Sequence, residues 1–341
     1  MGILSKISKN IALDLGTSNT LVYVAGKGIV IQQPSIVAIN NRTEHIVAVG
    51  DEAKKMLGKT PPHIVINNPL TEGVIADFEV AEKMIKYFID QVQHESFSWL
   101  PRPIVVIGIP LDVTEVERKA VIDATKSAGA REVYLVYQPL LTAIGVQLPV
   151  TEASGNLIVE MGGGVTEIAV ISLGGIVTST TLPIAGRTLD EQIINYVREN
   201  FNLLLGEASA EEIKIKLATV GDQALSKEMN LRGRDMLTGL PREVIITSFQ
   251  IKEAIIKPIK RIIEAIRDTL AQTPPELVAE IYQRGLVLSG GGAYLDGLAA
   301  LIQKELKIPV HLADDPLTTV IRGLGIVLED LANLKDLTLT S

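Results

Sequence analysis

The chain contains no cysteine, few aromatic residues and no long apolar run among its 341 residues. The absence of cysteine excludes disulfide bonds, a thiolate nucleophile and metal sites with cysteine ligands, and it fits a reducing compartment. No segment reaches the roughly 18–20 consecutive apolar residues that a membrane-spanning helix needs. Because aromatic residues make up 4% of the chain and hydrophobic residues 47%, we expect a mainly aliphatic core.

The chain also has no excess of basic residues. It contains 32 Lys and Arg against 40 Asp and Glu, for a net charge of -8. We therefore predict no nucleic-acid partner, because such a partner is bound through a basic patch. The four histidines are far apart in the sequence and none has the spacing of a zinc motif, so no structural metal site is expected. The length is sufficient for two domains, each with its own core.

Two 15-residue segments match each other across half of the chain. NIALDLGTSNTLVYV (10–24) aligns with NLIVEMGGGVTEIAV (156–170) at a shift of 146 residues. The aligned pairs include Asp14 with Glu160, Gly16 with Gly162 and Thr20 with Thr166. Each segment has the pattern of a β-hairpin whose turn begins with an acidic residue and continues with Gly, Ser or Thr. We predict two related halves, each opening with such a hairpin.

Strand-like and helix-like stretches alternate along the rest of the chain, which predicts mixed α/β layers. Strands are expected over 104–110, 133–138 and 285–290, and helices over 80–92, over 114–129 and from Thr247 onwards. Thr114 with Glu117, and Thr247 with Gln250, have the spacing of capping boxes. Pro258 is expected to kink the long helix that begins near Thr247.

Three strand ends are followed by small residues whose backbone N–H groups are suited to an anionic ligand. They are DLGTSN (14–19), EMGGGVT (160–166) and SGGGA (289–293). Glycine allows a close approach of the backbone, and consecutive amides form a concave anion site. The third turn is expected to open a helix, whose N-terminus would add positive partial charge.

The acidic residues of the first two turns need a separate explanation. Asp14 and Glu160 would repel a phosphate unless a hard cation lay between them. We therefore expect Mg²⁺ coordinated through water by both carboxylates. The residues alone leave open the alternative that each carboxylate caps its own turn.

Longer stretches of the sequence resemble the actin/Hsp70/sugar-kinase ATPase superfamily and, within it, the MreB family of bacterial actins. These stretches include IALDLGTSNTLVYVAGKGIVIQQPSIVAI, PLTEGVIADFEVAEKMIKYF, TEVERKAVIDATKSAGAREVYL and LSGGGAYLDGL. The resemblance implies an α/β, actin-like fold in which two related domains, each with a mixed five-stranded sheet flanked by helices, surround a nucleotide cleft. The implied domains are 1–145 with 316–341 (small subdomain about 33–66), and 146–315 (small subdomain about 187–245).

The resemblance also implies which residues bind ATP and Mg²⁺. The first phosphate loop corresponds to Asp14, Gly16, Thr17, Ser18 and Asn19, and the second to Gly162, Gly163, Gly164 and Thr166. Glu211 and Lys214 match a pair on the adenosine side, although an ordinary exposed helix pair would have the same spacing. The adenosine loop corresponds to Gly290, Gly291 and Gly292.

The chain departs from the family pattern at three positions of this site. Glu160 stands where the family has aspartate, Val165 where it has threonine, and Gln138 where MreB proteins have the glutamate that positions the attacking water. A glutamine can orient water but cannot accept a proton as a carboxylate does. We therefore expect a weak Mg²⁺-dependent ATPase coupled to filament assembly, with Gln138, Asp14, Glu160 and Thr166 as its catalytic residues.

The resemblance implies self-association into double filaments at the inner face of the cell membrane. Cytoskeletal or wall-synthesis proteins would be partners, and the role would be in cell shape, wall synthesis or motility. Independently, HESFSWLPRP (94–103) places Phe97, Trp99 and Leu100 in a Pro-flanked loop, which predicts an interfacial anchor unless the loop folds back onto the core. Ile3, Leu4 and Ile7 have helical spacing, and they fit either a weak interfacial helix or a solvated leader.

Two other classes of protein share the superfamily. A small-molecule kinase would need an aspartate as general base for the substrate hydroxyl, and no such residue is identified. A chaperone ATPase would need a C-terminal peptide-binding domain, but only about fifty residues follow the third glycine turn.

Overall fold

The computed structural model of the chain describes residues 10–93, 102–221 and 227–339. Within these ranges the strands are β1 (Ile11–Leu15), β2 (Asn19–Val24), β3 (Gly28–Pro34), β4 (Val37–Asn40), β5 (Ile46–Val49), β6 (Ile64–Asn67), β7 (Leu70–Thr71), β8 (Val74–Ile75), β9 (Ile104–Ile109), β10 (Glu132–Tyr137), β11 (Asn156–Met161), β12 (Thr166–Ser172), β13 (Gly175–Leu182), β14 (Leu203–Leu204), β15 (Glu228–Asp235), β16 (Pro241–Thr247), β17 (Leu286–Ser289) and β18 (Val310–Leu312).

The α-helices are α1 (Asp51–Met56), α2 (Phe78–Gln93), α3 (Glu115–Ser127), α4 (Gln138–Gly145), α5 (Gly186–Phe201), α6 (Glu207–Leu217), α7 (Ser248–Ala271), α8 (Pro275–Arg284), α9 (Leu298–Leu306), α10 (Thr319–Glu329) and α11 (Leu331–Leu334). Short 3₁₀ helices span Gly291–Tyr294 and Lys335–Leu337. None of these described helices is both long enough and apolar enough to cross a bilayer.

The described residues fall into two compact units. The first takes its residues from Met1–Ser154, Ile171–Ile176 and Leu317–Ser341, and the second from Gly155–Val170 and Val177–Pro316. The domain and subdomain boundaries that the family resemblance implies stay a prediction.

Two five-stranded sheets have the same topology. One has the order β3-β2-β1-β9-β10 and the other β13-β12-β11-β17-β18. In the first sheet β1 pairs with β2 antiparallel and with β9 parallel, and in the second β11 pairs with β17 parallel. The hairpins β1–β2 and β11–β12 coincide with the two matching segments of the sequence. The prediction of two related halves that each open with a hairpin is therefore confirmed.

The cores are aliphatic, as the composition predicts. The buried cluster around β11 and α7 consists of Leu, Ile, Val and Ala side chains together with Met161. The cluster around β1, β9 and α2 is similar and also contains Phe88. Each five-stranded sheet therefore packs against its own buried aliphatic core, which fixes the positions of the strand ends.

The predicted helix starts are confirmed. At α3, the Thr114 N–H donates to Oε2 of Glu117 at 2.8 Å, and the Glu117 N–H donates back to the Thr114 hydroxyl at 3.2 Å. Thr247 and Gln250 form the corresponding capping box at α7. The α7 helix continues through Pro258 to Ala271.

Two predicted boundaries are wrong. Gln138, predicted as the last residue of a strand, is the first residue of α4, and Pro139 lies in the first turn, where a missing N–H costs nothing. The third glycine turn opens a single 3₁₀ turn, and α9 begins only at Leu298. An α-helix N-terminus therefore does not follow this glycine turn directly.

Candidate functional site

The first predicted phosphate loop is the turn between β1 and β2. The Ser35 hydroxyl donates to the carbonyl oxygen of Gly16 at 2.6 Å, and the Ser35 N–H donates to that of Ser18 at 3.0 Å. A Cβ on Gly16 would lie 2.7 Å from the carbonyl oxygen of Asn19, so only glycine fits the turn. Ser35 is fully buried and holds the loop from the β3 side.

A second element contacts the same loop. The Gly73 N–H donates to the Thr17 hydroxyl at 2.8 Å, and the Asn68 side-chain amide donates to the Thr17 carbonyl at 3.2 Å. Gly73 lies in the β7–β8 turn with φ of 80°. Thr17 therefore links the loop to this small hairpin, a contact that the local sequence did not indicate.

The sheet brings Asp14 and Gln138 to the same end of β1 and β10, which are separated by β9. Gly108 of β9 is in register with Asp14 of β1 on one side and with Val136 of β10 on the other. Gln138 follows β10 directly, and a Cβ on Gly108 would lie 3.4 Å from its Cγ. Asp14 is 8% exposed and Gln138 7% exposed. A carboxylate and an amide are thus held at the carboxyl ends of parallel strands, where open α/β sheets bind ligands.

The second predicted phosphate loop joins β11 to β12. Glu160 is in register with Ser289 of β17 and is 9% exposed. The Gly162 N–H donates to the carbonyl of Val165 at 2.9 Å, which closes the turn. Thr166 is fully buried and its hydroxyl donates to the carbonyl of Ile184 at 2.6 Å. This bond fixes the base of the loop.

The start of α5 orients the peptide groups of this loop. The N–H groups of Gly186 and Arg187 donate to the carbonyls of Gly162 and Gly163 at 3.1 and 2.9 Å. Because C=O and N–H point in opposite directions across a trans peptide, the N–H groups of Gly163 and Gly164 point away from α5. Two successive amides directed to one side are the arrangement that binds an anion.

The third glycine turn packs against the end of β11. Gly290 has φ of 80°, and a Cβ on it would lie 2.4 Å from the carbonyl oxygen of Met161. A Cβ on Gly292 would lie 2.3 Å from Cγ of Met161. Gly291, which lies between these two glycines, is the first residue of the 3₁₀ turn. The glycines therefore allow this turn to lie directly on the residue that precedes the second loop.

Lys214 contacts the first turn of α5, the helix that packs against the second loop. Its Nζ donates to the carbonyl of Gly186 at 2.9 Å and to Oδ2 of Asp190 at 2.8 Å. The side chains of Lys214 and Asp190 are 19% and 15% exposed, so Lys214 is not part of an ordinary exposed pair. Burial raises the pKa of Asp190, although the Lys214 ammonium opposes that shift.

The described residues of each unit contain no cluster of metal ligands. Among residues 10–93, 102–221 and 227–339, no group of three or more His, Asp or Glu side chains could hold a metal ion. Asp14 lies in the first unit and Glu160 in the second, at equivalent ends of β1 and β11. The predicted membrane contacts Phe97, Trp99, Leu100, Ile3, Leu4 and Ile7 lie outside the described residues.

Comparisons with known proteins agree over nearly the whole chain. A family model described as MreB/Mbl protein matches residues 8–336. The chain is 44% identical to the cell shape-determining protein Mbl of Bacillus subtilis (strain 168), over 96% of this chain and 98% of that protein. It is 47% identical to the cell shape-determining protein MreB of Escherichia coli (strain K12), over 94% of each.

Solved structures also match nearly the whole chain. The structure of MreB5 of Spiroplasma citri bound to ADP matches with a TM-score of 0.91 at 33% identity, over 96% of this chain and 98% of that one. A MamK double helical filament matches with a TM-score of 0.79 at 23% identity, over 94% of this chain and 99% of that one, which is a likeness of fold.

Proposed function

The chain belongs to the MreB/Mbl family, and from this premise we propose that it is a nucleotide-binding bacterial actin homologue whose filaments determine cell shape. The actin-like fold predicted from the sequence is confirmed by the match to MreB5. The curated relatives are cell shape-determining proteins, so the alternative of a small-molecule kinase is not favoured. Structures of MreB5 with ADP and with AMPPNP, and of MamK as a filament, support nucleotide binding and self-association.

The observation that carries the proposal is the orientation of the second glycine loop. Its carbonyls are occupied by the first amides of α5, and its N–H groups at Gly163 and Gly164 are directed to the opposite side. In the related hairpin, Ser35 and Asn68 donate to carbonyls of the first loop, at Gly16 and Thr17. We propose that the phosphates of ATP bind to these two loops, and the adenosine near Glu211, Lys214 and the Gly290–Gly292 turn.

The carboxylates fit a magnesium ion by their chemistry. Asp14 and Glu160 are oxygen donors at equivalent strand ends, and both are nearly buried. Mg²⁺ prefers such hard ligands and keeps several of its waters, which accommodates two carboxylates acting through water. When bound, the ion would neutralise phosphate charge. The two carboxylates would orient its water shell, and Gln138 would orient the attacking water beside Asp14.

Filament assembly separates this proposal from its alternatives. We expect light scattering and pelleting of the purified chain to rise on addition of ATP and Mg²⁺. Gly16→Val should abolish that rise, because its side chain would collide with the Asn19 carbonyl and disrupt the first loop. Phosphorylation of an added small molecule without assembly would contradict the proposal and favour a kinase.

We further propose that the filaments are double and lie on the inner face of the cell membrane, where wall-synthesis or other cytoskeletal proteins are partners. The support for membrane contact is the sequence of the 94–103 segment, which contains the single Trp of the chain. The double filament and the partners rest on the resemblance to MreB proteins. Replacing Trp99 and Leu100 by serine should reduce co-sedimentation with anionic liposomes at least about threefold, since interfacial binding scales with buried apolar area. Val116→Ser, at a position 79% exposed on α3, is the matched control. Undiminished binding of the double variant would exclude the anchor.

A further inference from the structure

Arg187 lies where α5 meets the second glycine loop. It is the second residue of α5, and its N–H donates to the carbonyl of Gly163 at 2.9 Å. The neighbouring Gly186 makes the equivalent bond to Gly162. Arg187 is half-buried at this junction. The sequence patterns did not single out this residue.

Four carboxylates on α5 and α6 act on Arg187, and two of them follow it by three and four positions on the same face of α5. They form an acidic cluster of Glu207 and Glu211 on α6 with Asp190 and Glu191 on α5. Burial lowers the pKa of Arg187 while the acidic cluster raises it, and a guanidinium stays protonated at neutral pH in either case. Lys214 of α6 pairs with Asp190. Arg187 and Lys214 are thus two cations among four carboxylates on adjoining helices.

This charge pattern matters for a nucleotide. A triphosphate held at the N–H groups of Gly163 and Gly164 would be repelled by carboxylates on α5 and α6. Lys214 offsets Asp190, and Arg187 is a second cation that acts on Glu191, Glu207 and Glu211. Glu211 is also predicted to lie on the adenosine side of the site. Its carboxylate is therefore needed there, and its negative charge has to be balanced by a nearby cation.

We propose that Arg187 is a positioning residue of the nucleotide site, whose guanidinium balances Glu207 and Glu211 so that a polyphosphate can bind at the second glycine loop. The inference rests on the proposed function, because it requires that this loop holds nucleotide phosphates. Loss of the Arg187 charge should therefore weaken the binding of anionic ligands and leave the binding of neutral ligands nearly unchanged. A purely structural ion pair would affect charged and neutral nucleosides alike.

The test compares ATP with adenosine, which lacks phosphates. Dissociation constants are measured by calorimetry at fixed free Mg²⁺ for the wild-type chain, Arg187→Gln, Arg187→Lys and the double variant Arg187→Gln/Glu207→Gln. We expect Arg187→Gln to weaken ATP binding about tenfold and adenosine binding less than about twofold, as the loss of one nearby charge implies. Arg187→Lys should retain most of the ATP affinity, and removing Glu207 as well should restore it.

Glu207→Gln alone keeps the inference testable if Arg187→Gln does not fold, as judged by its thermal unfolding without nucleotide. This variant should bind ATP more tightly than the wild type and adenosine equally well. Equal losses for ATP and adenosine in Arg187→Gln, or an unchanged ATP affinity in both single variants, would overturn the inference alone. Failure of the wild-type chain to bind ATP would overturn the proposed function, and the inference with it.

Discussion

Replacing Gln138 by glutamate is expected to raise the rate of phosphate release from ATP at least about tenfold, because a carboxylate can accept the proton of the attacking water. Gln138 is the first residue of α4 and 7% exposed, and it lies across Gly108 from Asp14. The Asp14 carboxylate and the burial would both raise the pKa of a glutamate at this position, which moves it toward the range of an efficient general base.

Single-turnover phosphate release, measured beside the ATP dissociation constant, checks this expectation. Gln138→Met is the control, since it keeps the volume but can neither orient water nor accept a proton, and its rate should fall below that of the wild type. An unchanged rate in Gln138→Glu would mean that Gln138 does not limit the rate of hydrolysis. The substitution Glu160→Asp would then be the next of the three family departures to examine.

Replacing Gly323 by valine should destabilise the first unit by about 3 kcal/mol or more, since overpacking against backbone cannot be relieved by side-chain rotation. A Cβ on Gly323 of α10 would lie 2.0 Å from the carbonyl oxygen of Leu141, and one on Gly145 of α4 would lie 2.1 Å from that of Thr319. The two glycines therefore let α4 and α10 pack backbone to backbone. Since α4 begins at Gln138, displacing it should also lower phosphate release in the fraction that remains folded.

Urea unfolding of the purified chain, followed by circular dichroism, measures this effect. Gly206→Ala is the matched control, because Gly206 has φ of -85° and a Cβ there would meet no atom within 4 Å. The control should unfold within about 1 kcal/mol of the wild type, which allows for the cost of alanine at the N-cap of α6. A Gly323→Val chain as stable as this control would contradict the close packing of α4 on α10.

The elements that were predicted correctly have local causes. The hairpins β1–β2 and β11–β12 follow from an apolar run, an acidic residue and a small-residue turn that occur twice. The starts of α3 and α7 follow from capping residues three positions apart. These patterns do not depend on distant parts of the chain, so the elements could be predicted from the local sequence alone.

The errors and omissions have non-local or competing causes. Ser35, Asn68 and Gly73 contact the first loop only because the chain returns to it, and no local pattern marks them. Lys214 pairs with Asp190 of another helix, 24 residues earlier. The third glycine turn does not open an α-helix because Gly290 and Gly292 are packed on Met161 and Gly297 adopts a left-handed conformation just before α9.

Gln138 shows how two local signals compete. The apolar run VYLVY favours continuing the strand, and a residue before proline disfavours helical backbone. Proline is nevertheless well suited to the first turn of a helix, and this preference prevails at α4. The resulting strand-to-helix junction places Gln138 at the edge of the sheet, at the same end as Asp14 and separated from it by β9.

ATP binding is expected to drive this chain into filaments. Negative-stain electron microscopy of the purified chain on an anionic lipid layer, with ATP and Mg²⁺ and without nucleotide, tests it most directly. We predict filaments with ATP and Mg²⁺, and none for the Gly16→Val chain under the same conditions. Dispersed single molecules in the presence of ATP and Mg²⁺, from a wild-type chain shown to bind ATP, would contradict the claim.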